Sequence, residues 1–168
     1  MKGFERAFPS LDGFQFEAAQ DREIAIWLFG WLSMAKVAAL ENVPFKPPMV
    51  LVSGPTGSGK STLINKLAAA TGIAPASLGK FTTSSLFGAT NLASPLIWFD
   101  NVRIPGRLRA RNDLNLYLDC VQYQARSLSR EEPVVVLNKV VVFTGFAFRN
   151  LSPDLERRSV RIRLLPRN

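Results

Sequence analysis

Apolar and polar positions change rhythm several times along this chain, and each rhythm predicts an element. Residues 1–14 mix Phe, Gly, Pro and charge and read as an extended lead-in. Residues 15–41 contain no proline and are rich in Gln, Glu, Ala, Leu and Met. Ile24, Trp27, Leu28, Trp31 and Leu32 recur there at three- and four-residue spacing, which predicts a helix with one stripe turned to a core and both tryptophans packed in it. Pro44, Pro47 and Pro48 end that helix as a stiff linker. The apolar run Met49–Val52 then predicts a buried strand, followed by a glycine-rich turn and a helix over Ser61–Ala70.

Beyond Gly72, Pro75 and Gly79 the pattern predicts a short strand over Lys80–Thr83, a short helix over Ser84–Leu92 and a buried strand over Leu96–Phe99. An arginine-rich loop (Arg103, Arg107, Arg109, Arg111) with a Pro105-Gly106 turn leads to a helix over Asn112–Ser127. Val134–Val136 and Val140–Phe143 read as a hairpin with its tip at Asn138-Lys139. Residues 150–158 hold a short turn or helix capped by Ser152 ahead of Pro153 and Asp154. The last strand, Ser159–Leu165, puts Val160, Ile162 and Leu164 on one face and Arg161 and Arg163 on the other. Strands alternating with helices predict an α/β fold built on a mostly parallel sheet.

Composition narrows the chemistry. The 168 residues suit one domain with one sizeable core, and 47% of them are hydrophobic, as in an ordinary globular chain. A single cysteine, Cys120, excludes an internal disulfide framework, and the absence of histidine excludes His-based triads and His-ligated metals. A formal charge of +8 favours anionic partners such as nucleotides, nucleic acid or acidic surfaces without choosing among them. The most apolar stretch, Ile24–Ala35, meets Lys36 and falls short of the ~20 residues of a spanning helix. No membrane span and no targeting signal are expected, and the expected compartment is the cytoplasm.

One motif carries specific chemistry. Gly54-Pro55-Thr56-Gly57-Ser58-Gly59-Lys60-Ser61 fits G-x-x-x-x-G-K-[ST], the Walker A phosphate loop, and Thr62 follows it into the helix. Glycines let backbone N–H groups curl round phosphates, and the helix beginning near Lys60 aims the positive end of its dipole at them. Lys60 is expected to reach the β- and γ-phosphates of ATP, and the Ser61 hydroxyl to ligate Mg²⁺. A second metal-organising carboxylate is needed at the end of an apolar strand, and Asp100, closing Leu96–Phe99, supplies it. Asn101 follows, where many such ATPases place a glutamate. An amide cannot act as a base, though it can orient a water, so binding is more secure than hydrolysis.

Four features recur in order: the GPTGSGKST loop, the strand ending in Asp100-Asn101, the segment leading to Phe143-Thr144-Gly145, and Ser152-Pro153-Asp154-Leu155-Glu156-Arg157-Arg158 before the last strand. Together they resemble the AAA+ ATPase core of phage, plasmid and integrative-element helicase-like proteins, close to the superfamily 3 helicases, over roughly residues 15–165. The resemblance implies a P-loop NTPase core over 46–168, with the lead-in and helix of 1–45 packing on it. It implies that Lys60 and Ser61 bind phosphate and Mg²⁺ and that Asp100 holds the metal. It places Thr144 where such proteins keep a polar γ-phosphate sensor, often Asn. Arg158, or in second place Arg157, stands where they put an arginine finger that reaches a neighbouring subunit's nucleotide, implying a ring-like homo-oligomer. The Asn138-Lys139 hairpin falls where superfamily 3 motors grip DNA, with Lys139 facing the pore.

Asn101 and Thr144 depart from the family pattern. No primase or winged-helix segment flanks the core in this sequence, so a minimal ATPase, a subunit borrowing a DNA-binding partner and a fragment all remain open. The expected function is an ATP-binding and ATP-hydrolysing oligomeric subunit acting on DNA in mobile-element replication. The alternatives are a nucleotide switch with weak or no hydrolysis, argued by Asn101, and a small P-loop kinase whose lid would be Arg103–Arg111.

Overall fold

The computed structural model describes residues 8–75, 77–90, 93–102, 108–120, 122–126, 131–149 and 151–167. In chain order the elements are α1 (Ala19–Leu40), β1 (Met49–Ser53), α2 (Lys60–Ala70), β2 (Ser77–Leu78), α3 (Thr83–Thr90), β3 (Leu96–Phe99), α4 (Leu108–Asp119), β4 (Gln122–Arg126), β5 (Glu131–Val136), β6 (Val140–Gly145), α5 (Pro153–Arg157) and β7 (Ser159–Arg163). Five strands form one parallel sheet in the order β2-β3-β6-β1-β7. This is the parallel α/β sheet flanked by helices that a P-loop NTPase of the AAA+ type builds.

Alternation along the central strands divides the core in two. Val50 and Val52 of β1 and Val140 and Val142 of β6 turn to one face, where α1 and α2 cover them with Leu28, Leu32, Leu63, Ile64 and Leu67. Met49, Leu51, Val141 and Phe143 turn to the other, against Leu86, Leu114, Tyr117 and Leu155 of α3, α4 and α5. Phe99 and Phe143 stack there at 4.8 Å between ring centroids. β1, β3 and β6 carry apolar side chains on both faces because helices cover both.

Four expectations change. The helix expected from residue 15 starts at Ala19: Phe16 instead bridges antiparallel to Leu164, and the Glu17 N–H donates to the Arg163 carbonyl at 3.0 Å. On α1, Ile24, Leu28 and Leu32 are buried and Trp31 packs partly buried against the core, but Trp27 is 54% exposed, its ring 6.4 Å from that of Trp31. The stripe is narrower than its apolar content because α1 is apolar nearly all round. By length and hydropathy α1 is long enough to cross a membrane, yet eight of its residues are buried against the rest of the chain. The strand expected over Lys80–Thr83 lies earlier, at Ser77–Leu78, and Thr83 already opens α3.

The largest correction concerns the second half. α4 ends at Asp119 rather than Ser127, and Gln122–Arg126 is a strand that pairs antiparallel with β5 in a separate two-stranded sheet. The hairpin is therefore β4–β5, and Val134–Val136 does not pair with Val140–Phe143. All six residues of β6 are buried, and β6 needs neighbours on both edges, which β1 and β3 provide. Leu137–Lys139 is the passage between the two sheets, tied down by the Phe45 N–H to the Leu137 carbonyl (3.1 Å), Asn138 Nδ2 to the Ala38 carbonyl (3.4 Å) and Lys139 Nζ to the Ser94 carbonyl (2.9 Å). Lys139 precedes the first residue of a parallel strand, so it sits at the end of the sheet opposite the phosphate loop and is not a hairpin tip facing a pore.

Candidate phosphate-binding site

All five strands of the sheet end on the same side, and ligands of open α/β sheets bind beyond those carboxyl ends. β1 delivers the chain there at Ser53, the loop Gly54–Gly59 turns, and α2 leaves from Lys60. Gly57 and Gly59 have φ of +81° and +90°, a left-handed backbone that side chains strain. Gly54 has a different reason: a Cβ there would strike the Leu164 carbonyl and lie 2.8 Å from Ser58 Oγ. Among the described residues no side chain caps the start of α2, whose first internal bond runs from the Leu63 N–H to the Gly59 carbonyl. The opening N–H groups and the helix dipole are left to an external anion.

Lys60 Nζ donates to the carbonyls of Gly54 (2.9 Å) and Pro55 (2.8 Å), so the ammonium lies folded across the loop. Burial pushes its pKa below the usual lysine value of 10.5, partly offset by the nearby Asp100 carboxylate. Ser58 is fully buried, and its Oγ has no hydrogen-bond partner among the described residues. Pro55 and Thr56 form the outer rim of the loop, and Thr62 lies exposed on the first turn of α2.

The second half of the site comes from β3 and β6. Ser61 Oγ donates to Asp100 Oδ1 at 2.8 Å, joining the phosphate-loop helix to the end of β3. Thr144 Oγ1 donates to the same carboxylate oxygen and accepts from the Asn101 N–H (3.0 Å) and from Trp98 Nε1 (3.4 Å). A hydroxyl offers one donor and two acceptor positions, so Thr144, fully buried, has its capacity filled within the chain. Asn101 follows in a left-handed turn (φ +53°) with an exposed side chain; asparagine tolerates that backbone better than most residues. Two backbone bonds complete the turn, Asp100 N–H to the Leu78 carbonyl and Val102 N–H to the Thr144 carbonyl, both at 3.0 Å.

These residues fit a nucleotide with a magnesium ion. The loop offers uncapped amides, a flexible ammonium and an orphaned hydroxyl. Ser61 and Asp100 are the oxygen ligands that would hold Mg²⁺, a cation usually bound by one or two protein oxygens together with phosphate and water. Among the described residues no group of three or more Cys, Asp or Glu gathers elsewhere to hold a metal.

Arg158 lies apart from this cluster. Its Nε and Nη2 form a bidentate pair with Asp119 at 2.8 and 2.9 Å, and Nη1 donates to the Asp154 carbonyl. The Arg158 carbonyl accepts from the Met49 N–H, placing it level with the start of β1, a strand's length from the phosphate loop. Asp119, held by Arg158 at that end of the sheet, lies away from the Ser61–Asp100 pair. Arg157 is exposed and pairs with Asp154 at 3.0 Å. The basic face of β7 is neutralised locally: Arg161 pairs with Glu156, and Arg163 with Glu17 at 3.3 Å. Residues 103–107, with Arg103 and Arg107, lie outside the described residues; Arg109 and Arg111 fall on α4 rather than on a loop.

The structure brings the loop, Asp100 and Thr144 together, while the three-way saturation of Thr144 and the β4–β5 hairpin were not expected from the sequence. A signal for the hairpin was present: Val121, Tyr123 and Ala125 alternate with Gln122, Gln124 and Arg126, the period of a strand.

Comparison with known proteins agrees with this architecture. Residues 30–100 match the AAA domain family. No curated protein matches the chain significantly. Among solved structures, JCV helicase bound to a thiazolopyridinyl-phenoxyphenyl acetamide is 19% identical with a TM-score of 0.50, over 89% of this chain and 47% of that one. PCH-2 of C. elegans is 14% identical with a TM-score of 0.52, over 94% of this chain and 45% of that one. The chain thus spans less than half the length of either protein. These likenesses show a fold similar to that of the two structures, with the match to the AAA domain family confined to residues 30–100.

Proposed function

We propose that the chain binds ATP with Mg²⁺ on the loop Gly54–Thr62, hydrolyses it, and does so as a subunit of a homo-oligomeric ring acting on DNA. The observation that carries the nucleotide part is the tie of Ser61 and Thr144 to one oxygen of Asp100, at the mouth of an uncapped phosphate loop. That tie holds a hydroxyl and a carboxylate side by side before any ligand arrives, so little reorganisation is needed when one does.

In this reading the α2 amides take the phosphate oxygens, and Lys60 leaves the Gly54 and Pro55 carbonyls for the β- and γ-phosphates. Magnesium, when bound, would neutralise charge on those phosphates from a position held by Ser61 and Asp100. Thr144 acts as a positioning residue that fixes Asp100 and the Asn101 turn, rather than as a donor to the γ-phosphate. Asn101, exposed beside Asp100, orients water through its amide; it cannot take the proton. That limit favours slow hydrolysis and keeps the nucleotide switch as the second reading.

Arg158 cannot serve its own loop. Five residues of β7 separate it from the level of the P-loop, about 16 Å at ~3.3 Å per residue, beyond the reach of an arginine side chain. If it serves a nucleotide, that nucleotide belongs to a neighbouring subunit, and the pair with Asp119 has to open first. The DNA part rests on the +8 charge and on the family resemblance, which extends the reading to mobile-element replication. With Lys139 withdrawn, its carrier becomes the β4–β5 hairpin, where Arg126 ends β4 and Arg130 precedes β5 in the sequence; residues 127–130 lie outside the described residues.

The test is particle mass and ATP turnover, each measured with ATP alone, with single-stranded and with double-stranded DNA. The reading expects assembly with ATP and turnover that DNA raises. A monomer that turns over ATP at the same rate whatever the DNA would refute the oligomeric and DNA parts together.

A further inference from the structure

The residues that follow β7 run along the phosphate loop. The Leu164 N–H donates to the Ser53 carbonyl and the Leu165 N–H to the Gln15 carbonyl, both at 2.8 Å. The Leu164 carbonyl fills the space a side chain at Gly54 would need. Three residues later the Arg167 guanidinium lies against Gly59, the glycine directly before Lys60. A Cβ built on Gly59 would be 2.8 Å from both Nε and Cζ of Arg167 and closer still to Nη2. The same guanidinium lies over the Phe14 ring, 5.0 Å from its centroid, while Lys66 Nζ approaches that ring at 5.8 Å.

Arg167 differs from the other arginines around β7. Arg157, Arg158, Arg161 and Arg163 each face a carboxylate. Arg167 has no ion pair and no hydrogen bond among the described residues; its contacts are an aromatic face and a glycine backbone. A guanidinium stacked on a ring is held in place with all its N–H donors still to be used. It fills the space that a side chain on Gly59 would take, beside the start of α2. A cation there either donates to the bound phosphates or has to move out of their way.

We propose that Arg167 is a second polyphosphate-binding cation of this site, supplied by the same chain and complementing Lys60. The proposal rests on the nucleotide-binding reading above. Lys60 presents one point charge from across the loop. Arg167 presents a planar fork from the β7 side, suited to two phosphate oxygens at once. Phe14 serves as its rest, buried under the guanidinium and anchored by the Phe14 N–H to the Leu11 carbonyl at 3.0 Å. The contribution scales with phosphate charge, so it discriminates ATP and ADP from AMP.

The experiment is calorimetric titration of the full chain with ATP, ADP and AMP, in wild type, Arg167→Ala, Arg167→Lys and Lys60→Ala. Arg167 is exposed, so thermal unfolding of its variants without nucleotide should match wild type. Arg167→Ala is expected to weaken ATP about tenfold or more, the usual value of a hydrogen bond between charged groups, while barely altering AMP. Arg167→Lys should recover part of the loss. Unchanged or tighter ATP binding in Arg167→Ala, with Lys60→Ala still abolishing it, overturns the role of Arg167 and leaves the nucleotide reading standing. An equal loss for ATP and AMP shows that the residue acts through Phe14 packing and also overturns the proposal. If wild type shows no ATP binding that depends on Lys60, the nucleotide reading falls, and this inference with it.

Discussion

Thr144→Val tests the network behind the phosphate loop, because valine keeps the shape of threonine and removes only its hydroxyl. That hydroxyl donates to Asp100 and accepts from the Asn101 N–H and, at longer range, from Trp98 Nε1. The bond to an ionised carboxylate is worth about 1.5–3 kcal/mol, and a buried N–H left without an acceptor costs ~1–3 kcal/mol. The Trp98 bond, at 3.4 Å, adds little. These terms share one atom and do not add fully, so the expected loss is about 2–4 kcal/mol. Thr144→Ser keeps every hydrogen bond and loses one methyl group, a cost of about 1 kcal/mol. Urea unfolding separates the two through a shift of midpoint at constant slope. Magnesium titration of ATP binding supplies a readout that packing alone would not move: Thr144→Val should need more Mg²⁺, because Asp100 is no longer fixed, and Thr144→Ser should not. A Thr144→Val protein as stable as Thr144→Ser, with unchanged magnesium dependence, would refute the assignment of Thr144 as a positioning residue.

Further outcomes follow from other parts of the structure. Asn101→Gly should leave stability within about 0.5 kcal/mol of wild type, while Asn101→Val should lose ~1–2 kcal/mol, since the left-handed turn penalises a β-branched side chain; urea midpoints decide it. Lys60 has a folded pKa below 10.5, so the folded state holds that proton more weakly than the unfolded one. As pH rises from the folded value towards 10.5, the Lys60 contribution to stability grows while ATP affinity falls with the loss of charge. Titrating affinity against pH should show this alkaline fall in wild type and not in Lys60→Arg. Arg158→Ala mixed with Lys60→Ala, each inactive alone, should regain part of the ATP turnover if Arg158 acts on a neighbouring subunit's nucleotide; an Arg158→Ala protein with wild-type turnover would contradict it.

The sequence made the loop legible because each residue of Gly54–Ser61 is constrained by backbone geometry or by charge, and both constraints are local. Asp100 was legible for a similar reason: an all-apolar strand ending in a carboxylate has few other readings. The last strand and Ser152-capped α5 were visible through alternation and capping chemistry, and the Ser152 hydroxyl does accept from the Leu155 N–H. What was not legible depends on pairing across space. Val134–Val136 and Val140–Phe143 look alike in sequence, yet one joins the two-stranded sheet and the other the centre of the parallel one. The three-residue passage between them carries no turn glycine, and its buried Asn138 is explained only by its bond to α1. Arg158 has Asp154 and Glu156 near it in sequence, but its main partner, Asp119, sits 39 residues away. Arg167 carried no motif at all; only the path of the chain past Gly54 and Gly59 brings it to the loop.

The central claim is that Gly54–Thr62 and Asp100 form a nucleotide site centred on Lys60. Equilibrium binding of ATP with Mg²⁺, measured in wild type and in Lys60→Ala of equal thermal stability, tests it most directly. The account predicts saturable binding by wild type, with most of that affinity lost in Lys60→Ala while the fold persists. Wild-type affinity in Lys60→Ala, or no ATP binding by the intact protein, would contradict it.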